Sequence, residues 1–235
     1  MPPRMPDLAV TLRPSRTVIY LHGFASSPKS TKVGYFTARL HEHGIEVECP
    51  DFNRPDFSSL TMTRMLEQLR AELARIDRTP GDARGPVALI GSSLGGTLGI
   101  LAAARFQSQV DRLVLLAPAV MFAKPGHHLL PPERLDEWQR RGALPFFHYA
   151  EDTERELNFS FYEDSLRYDA FNADIPQPTL IFQGLRDASV DYHTVEAFAR
   201  TRPGVTLSLL DDDHQLIASL PRIWDDMRAF LGLDD

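Results

Sequence analysis

A serine in the stretch Gly91-Ser-Ser-Leu-Gly95 is the residue best placed to act as a nucleophile. The apolar run 86–90 before it predicts a buried strand, and the small, Ala-rich run after it predicts a helix. A G-x-S-x-G sequence at such a turn is typical of a nucleophile elbow, in which the central serine stands on a strained backbone. We therefore expect Ser93 to attack an acyl carbonyl. The alternative is a tight turn with an incidental serine.

A serine nucleophile requires a general base, and the base requires a carboxylate that orients it. After an elbow of this kind, the acid and then the histidine follow the serine along the chain. Of the eight histidines, His214 lies after the last predicted strand and before the C-terminal helix. The preceding predicted strand ends in Gln183-Gly-Leu-Arg-Asp187, so Asp187 is the predicted acid.

Other carboxylates near these positions have simpler interpretations. Asp191, the second choice for the acid, stands directly before a predicted helix, where it is suited to cap the N-terminus. The acidic run Asp211 to Asp213 is too close to His214 along the chain to face its ring comfortably. We expect a solvated acidic turn there.

Acyl transfer also requires backbone N–H groups that are aimed at the developing oxyanion. One is expected from Leu94, the residue after the nucleophile. The other is expected from the N–H of Phe24, in the loop His22-Gly23-Phe24 that follows the first long predicted strand. The sequence therefore predicts an oxyanion hole formed by Phe24 and Leu94.

Two further patterns suggest other chemistry, and both are weak. Ser26-Ser-Pro-Lys29 has the S-x-x-K spacing of some acyl enzymes, but Pro28 fits poorly inside the helical turn that this motif needs. His127 and His128 are adjacent, so their side chains diverge on an extended loop, and no spaced carboxylate partner is evident. We therefore expect a solvated loop rather than a metal site at these histidines.

Most of the chain alternates short apolar strands with amphipathic helices. The predicted strands are 17–21, 46–50, 86–90, 112–117, 179–183 and 205–210, and the predicted helices include 61–76, 192–200 and 221–231. Continuous apolar strands are typical of a parallel sheet that is covered on both faces. The predicted fold class is α/β, with a mostly parallel central sheet and helices on both faces.

One region breaks this alternation. Residues 121–175 contain no obvious buried strand but hold ten of the 22 aromatic residues. We expect 1–120 and 176–235 to form the core and 121–175 to form an inserted cap over the carboxyl ends of the strands, where ligands bind in open α/β sheets. The substrate-binding residues are not fixed by the sequence, and the candidates in this cap, which would favour an apolar acyl group, are Phe122, Trp138, Phe146 and Phe147. The alternative is that these aromatic residues pack the insertion onto the body of the molecule.

Together, His22-Gly23-Phe24, the elbow at 91–95, Gly184 with Asp187, and Asp213-His214 resemble the serine hydrolases of the α/β-hydrolase superfamily. The resemblance extends from about residue 17 to 231. The opening stretch Tyr20-Leu-His-Gly-Phe-Ala-Ser-Ser-Pro-Lys-Ser30 is similar to that of the small YqiA-like esterases. The resemblance implies an α/β-hydrolase fold and hydrolysis of esters or thioesters through an acyl-serine, with no cofactor or metal.

The same scaffold supports acyl-CoA and other acyl thioesterases, peptidases and C–C bond hydrolases, and the fold does not choose among them. Serine rather than aspartate at position 93 argues against a dehalogenase. An alternative of a different class is a non-catalytic binding protein that has kept the fold.

Composition narrows the partners and the location. The formal net charge of −7 disfavours a nucleic-acid partner. The expected partner, a small-molecule ester or thioester, is what the resemblance to the serine hydrolases implies. The single cysteine, Cys49, cannot form an intrachain disulfide. No stretch has the length of a membrane span, and residues 1–16 lack the apolar segment of a signal peptide, so the predicted location is cytoplasmic.

Overall fold

The computed structural model describes residues 17–77, 86–124, 127 and 130–233. The strands of the central sheet are β1 Thr17–Leu21, β2 Glu46–Glu48, β3 Val87–Ser92, β4 Val110–Leu116, β7 Thr179–Gly184 and β8 Val205–Leu210, numbered in chain order with β5 and β6 below. In the sheet, these six strands lie side by side in the order β2-β1-β3-β4-β7-β8. Every neighbouring pair is parallel, so the predicted parallel sheet is confirmed.

Helices cover both faces of the sheet, as predicted. They are α1 Thr31–Glu42, α2 Met62–Asp77, α3 Leu94–Arg105, α4 Pro132–Arg141, α5 Ser160–Ser165, α6 Tyr192–Arg200 and α7 Leu220–Leu231. Apolar side chains of α1 and α7 pack with Val18, Ile90 and Phe182 on one face. Apolar side chains of α2, α3 and α6 pack with Ile19 and Leu89 on the other. Because side chains alternate along a strand, each apolar strand supplies both layers of the core.

The inserted segment (residues 121–175) joins β4 to β7. It contains α4, α5 and an antiparallel hairpin of β5 Ala143–His148 and β6 Thr153–Asn158. The sequence did not predict this hairpin, because β6 is mostly charged and exposed and buries Leu157 alone. Thr63 at the start of α2 donates both its N–H and its hydroxyl to the carboxylate of Asp164, which ties the segment to the body of the molecule.

All six central strands end at one edge, since they are parallel. The loops after β1, β3, β7 and β8 therefore converge there, at the edge where open α/β sheets bind ligands. Among the described residues, none of the helices combines the length and the apolar character that crossing a bilayer would need.

Candidate active site

Ser93 occupies a sharp turn between β3 and α3. Its backbone has φ 53° and ψ −116°, a conformation that non-glycine residues rarely adopt. The N–H of Ser93 donates to the carbonyl of Leu116 at 2.9 Å, which fixes the turn against β4. A Cβ atom at Gly95 would lie 2.0 Å from the carbonyl oxygen of Leu21, so only glycine allows α3 to start this close to β1. The local sequence thus produces the elbow that holds Ser93 at the edge of the sheet.

His214 connects Ser93 to Asp187. Its Nδ1 lies 2.7 Å from Asp187 Oδ2, and its Nε2 lies 3.0 Å from Ser93 Oγ. A carboxylate only accepts, so Nδ1 carries the proton and Nε2 is free to accept from the serine hydroxyl. The structure therefore brings together the serine, the histidine and the acid that the sequence selected, from loops after three different strands.

Backbone and side-chain donors hold Asp187 in place. Its Oδ1 accepts the N–H groups of Ser189 and Val190, each at 2.8 Å. Its Oδ2 accepts from Gln183 Nε2 at 2.9 Å as well as from His214. Burial raises the pKa of Asp187, but these hydrogen bonds and the attraction of the His214 ring outweigh burial and hold the pKa below its usual value. The carboxylate stays ionised at neutral pH.

The loops after β7 and β8 are in close contact. A Cβ atom at Gly184 would lie 2.6 Å from the carbonyl oxygens of Asp212 and Asp213, so a side chain there would separate the two loops. The buried carboxylate of Asp212 accepts the N–H groups of Asp213 and Ser219, which shapes the turn that presents His214. Asp212 is therefore structural and buried, which corrects the expectation of a solvated turn at this position.

The second choice for the acid is placed elsewhere. Asp191 caps α6 through a hydrogen bond from the N–H of His193 at 3.0 Å. Asp211 forms an ion pair with Arg186 at the surface. The acidic residues around His214 thus have separate partners, and Asp187 is the one whose carboxylate contacts its ring.

The loop after β1 lies directly against the elbow. A Cβ atom at Gly23 would lie 3.5 Å from the Cβ of Ser93. Leu94 is the first residue of α3, where backbone N–H groups have no acceptor inside the helix. Within the described residues, the N–H groups of Phe24 and Leu94 have no hydrogen-bond acceptor. Both predicted oxyanion donors therefore have no protein acceptor among the described residues, and they belong to loops that meet at the elbow.

His22 positions this loop, a role that the sequence analysis missed. Its buried ring donates from Nδ1 to the carbonyl of Gly23 at 2.9 Å and accepts at Nε2 from the N–H of Phe52 at 3.1 Å. Burial lowers the pKa of His22, against smaller raising effects of the Gly23 carbonyl and Asp51. The neutral ring couples the loop after β1 to the loop after β2. In the sequence, the pair His22-Gly23 directly after a predicted strand was the feature that could have indicated this role.

A cleft of about 810 Å³ opens at Ser93 and His214. Its walls come from the loop after β1, the first turn of α1, the elbow and the loops after β7 and β8. The inserted segment contributes Tyr149 and Ala150 from the turn of its hairpin. Seven serine and threonine residues and two lysines stand in the lining among the aromatic and aliphatic residues, so the cleft carries polar groups that the sequence did not assign to it.

The four aromatic residues predicted to contact substrate do not line this cleft, among the residues that the structure describes. Trp138 is 0% exposed and donates its indole N–H to the carbonyl of Leu157 at 2.7 Å, so its assignment as a substrate contact is wrong. Phe122 and Phe146 pack against the core. Phe147 is 47% exposed and stands behind Tyr149. Three of these four rings therefore pack the inserted segment onto the body of the molecule.

The weaker chemical patterns find no support in the geometry. Lys29 is exposed, and its backbone N–H donates to the Ser27 hydroxyl, as in a turn rather than in a Ser-Lys pair. His128 lies outside the described residues, and among those described no group of three or more His, Cys, Asp and Glu side chains is arranged to hold a metal ion.

Comparison with known proteins gives a family and a set of relatives. A family model described as "Uncharacterised protein family (UPF0227)" matches residues 17–231. The palmitoyl-protein thioesterase ABHD10, mitochondrial, of Bos taurus is 26% identical over 200 residues, which cover 82% of this chain and 64% of that protein. The chain thus spans under two thirds of the length of this relative.

Solved structures show the same fold. Est1E of Butyrivibrio proteoclasticus, determined with ferulic acid bound, superimposes with a TM-score of 0.79 at 21% identity, over 97% of this chain and 92% of that chain. The alpha/beta hydrolase domain-containing protein 10 of mouse superimposes with a TM-score of 0.70 at 19% identity, over 95% and 93%. The fold is that of the α/β hydrolases.

Proposed function

The chain belongs to the UPF0227 family and has the α/β-hydrolase fold, and we propose that it is a serine hydrolase. It cleaves carboxylic ester or thioester bonds through an acyl-Ser93 intermediate. The observation that carries the proposal is the continuous hydrogen-bonded chain from Ser93 Oγ through His214 to Asp187, at 3.0 and 2.7 Å, at the floor of an open cleft.

Acylation starts at the serine hydroxyl. Ser93 Oγ attacks the acyl carbonyl while its proton passes to His214 Nε2, and Asp187 stabilises the imidazolium that forms. The N–H groups of Phe24 and Leu94 bind the oxyanion of the tetrahedral intermediate. The imidazolium then protonates the leaving alcohol or thiol as its bond to the acyl carbon breaks.

Deacylation repeats these steps with water. Neutral His214 takes a proton from a water molecule, which attacks the carbonyl carbon of the acyl-Ser93 ester. The tetrahedral intermediate collapses, Ser93 Oγ recovers the proton from His214, and the carboxylic acid leaves. Each residue ends in its starting protonation state, so the cycle requires no cofactor.

The structure removes the argument from the sequence for an apolar acyl group. The aromatic residues that favoured an apolar acyl group do not line the cleft, so that argument no longer holds. A thioesterase acting on apolar acyl chains is the second candidate, because the bovine relative is named as a palmitoyl-protein thioesterase. Nothing in the cleft favours a peptidase or a C–C hydrolase over these two.

Covalent labelling separates the enzyme from a binding protein. We expect a fluorophosphonate probe to label the wild type, and p-nitrophenyl butyrate to be hydrolysed. Ser93→Ala should abolish labelling and lower kcat by roughly 10⁴-fold or more. Ser92→Ala, which removes the neighbouring hydroxyl, should still be labelled. A folded wild type that takes no label and hydrolyses neither short- nor long-chain esters and acyl-CoAs would favour the non-catalytic alternative.

Two more general expectations, on the size of the substrate and the location of the protein, accompany this proposal. The substrate is a small molecule, in keeping with a cleft of about 810 Å³. The cytoplasmic location stays a prediction, and the name of the bovine relative assigns that protein to mitochondria.

A further inference from the structure

Lysine is rare in this chain, and its placement is uneven. The sequence has 25 Lys and Arg residues, but Lys29, Lys32 and Lys124 are the only lysines. Lys124 forms an ion pair with Asp169 at 2.7 Å. Lys29 and Lys32 both line the cleft that contains Ser93. Two of the three lysines thus face the proposed reaction site.

Neither cleft lysine is neutralised by a close partner. Within the described ranges, no carboxylate lies within ion-pair distance of the ammonium group of Lys29 or Lys32, whereas most of the surface arginines have one. Lys32 lies in the first turn of α1, where a positive charge opposes the helix dipole, and that turn contains no acidic residue. A half-buried, unpaired ammonium in this place costs folding free energy.

Lys32 interacts electrostatically with the loops that carry the acid and the histidine. The carboxylates that act on it are Asp213, Asp187 and Asp212, from the loops after β7 and β8. The carboxylates of Asp187, Asp212 and Asp213 are already engaged by N–H donors of their own loops. Lys32 also lines the same cleft as His214, Gln215 and Ile217 of the loop after β8. Lys32 therefore lies toward the His214 side of the cleft and remains available to a ligand.

The chemistry of acyl transfer indicates which part of the substrate lies on the His214 side of the cleft. The carbonyl oxygen must point to the N–H groups of Phe24 and Leu94, and the leaving group must depart within reach of His214 Nε2, which protonates it. A positive charge on the His214 side therefore lies beside the leaving group rather than beside the oxyanion.

We propose that Lys32, with Lys29 at the rim of the cleft, binds an anionic group on the leaving alcohol or thiol of the substrate, either a carboxylate or a phosphate. This inference rests on the proposed function and narrows its substrate class. Ammonium groups bind both anions as compact point charges, and the hydroxyls of Ser27 and Ser30 in the same wall can add hydrogen bonds.

Matched substrates test the proposal. The first pair is 4-carboxyphenyl butyrate and its neutral methyl ester, which differ in the charge of the leaving group. The second pair is butyryl-CoA and S-butyryl-N-acetylcysteamine, which differ in the phosphates that the leaving thiol carries. Mono-p-nitrophenyl adipate places the anion on the acyl side instead. The measured quantity is the ratio of kcat/KM for the anionic substrate to that for its neutral partner.

In the wild type, we expect this ratio to favour at least one anionic leaving group. Lys32→Met should lower the ratio by roughly 10–100-fold, mainly through KM, as expected for the loss of a charged hydrogen bond. Lys32→Arg should keep most of it. Lys124→Met, which removes the same charge outside the cleft, should leave activity and ratio unchanged. A loss in the carboxylate pair alone or in the CoA pair alone would identify which anion is bound.

Two results would contradict the proposal. A Lys32→Met enzyme that loses the same activity on charged and neutral partners would show that Lys32 only supports the loop of His214. A loss confined to the adipate ester would place the anion on the acyl group, and either result overturns the proposal. If the wild type hydrolyses neutral esters and loses this activity in Ser93→Ala, the proposed function stands even where the anion preference fails.

Discussion

At the scale of single residues, the hydrogen bond between His214 Nδ1 and Asp187 Oδ2 decides which ring nitrogen faces the nucleophile. The carboxylate accepts at 2.7 Å and so keeps the proton on Nδ1. If the proton moved to Nε2, the ring could no longer accept the proton of Ser93 Oγ. The orientation of the base thus depends on the acceptor character of Asp187 and not on its size.

Asp187→Asn tests this dependence. An amide can donate to Nδ1 and stabilise the tautomer protonated at Nε2, so kcat on p-nitrophenyl butyrate should fall by roughly 10⁴-fold with little change in fold. Asp191→Asn is the matched control, because asparagine caps a helix about as well as aspartate, and its kinetics should equal those of the wild type. Equal effects of both substitutions would contradict the assignment of Asp187 as the acid.

Sequence was informative for these residues because each one follows a strand. Parallel strands end at one edge, so Phe24, Ser93, Asp187 and His214 could be assigned to that edge from their place after apolar runs. The role of His22 could not be predicted in this way. It depends on the N–H of Phe52, thirty positions away, and only the packed structure brings that donor to the ring.

At the scale of elements, the inserted segment is where the sequence was least informative. Three of the four aromatic candidates for contact with the substrate instead pack the segment onto the body, because its hairpin has one exposed, charged strand and needs buried contacts elsewhere. Trp138 contacts the rings of Phe146 and Phe159, with centroids 4.9 and 5.6 Å away. Hydrophobicity indicated that these rings are buried, but not whether the core or the cleft buries them.

Two substitutions in the inserted segment distinguish an aromatic residue that stabilises the core from one that lines the cleft. Trp138→Ala should lower the free energy of unfolding by about 3–5 kcal/mol in urea denaturation, because it removes a fully buried ring and leaves the carbonyl of Leu157 without its donor. Tyr149→Ala should change stability by less than about 0.5 kcal/mol, because Tyr149 is 68% exposed. It should instead alter KM, since its ring forms a wall of the cleft. The reverse pattern would restore the original assignment of Trp138.

At the scale of the whole molecule, the charge distribution is uneven. The chain has a formal net charge of −7, which repels an approaching anion at low ionic strength. Within the cleft, Lys29 and Lys32 supply positive charge against this background. Burial lowers the pKa of Lys32 to about 8, against the raising effects of Asp213, Asp187 and Asp212. The local attraction for an anion therefore depends on a group that titrates near neutral pH.

The anion preference should consequently depend on pH with a definite sign. Lys32 is charged below its pKa of about 8 and neutral above it, so the ratio of kcat/KM for 4-carboxyphenyl butyrate to that for its methyl ester should fall as pH rises from 7 to 9. The ratio cancels every pH effect on catalysis that the two substrates share. The pKa of Asp187 lies below its usual value, and burial raises the pKa values of Tyr20 and Cys49, so none of these groups titrates in this window. Lys32→Arg should flatten the profile, because a guanidinium stays charged throughout. A wild-type ratio that is constant from pH 7 to 9 would exclude Lys32 as the group that binds the anion.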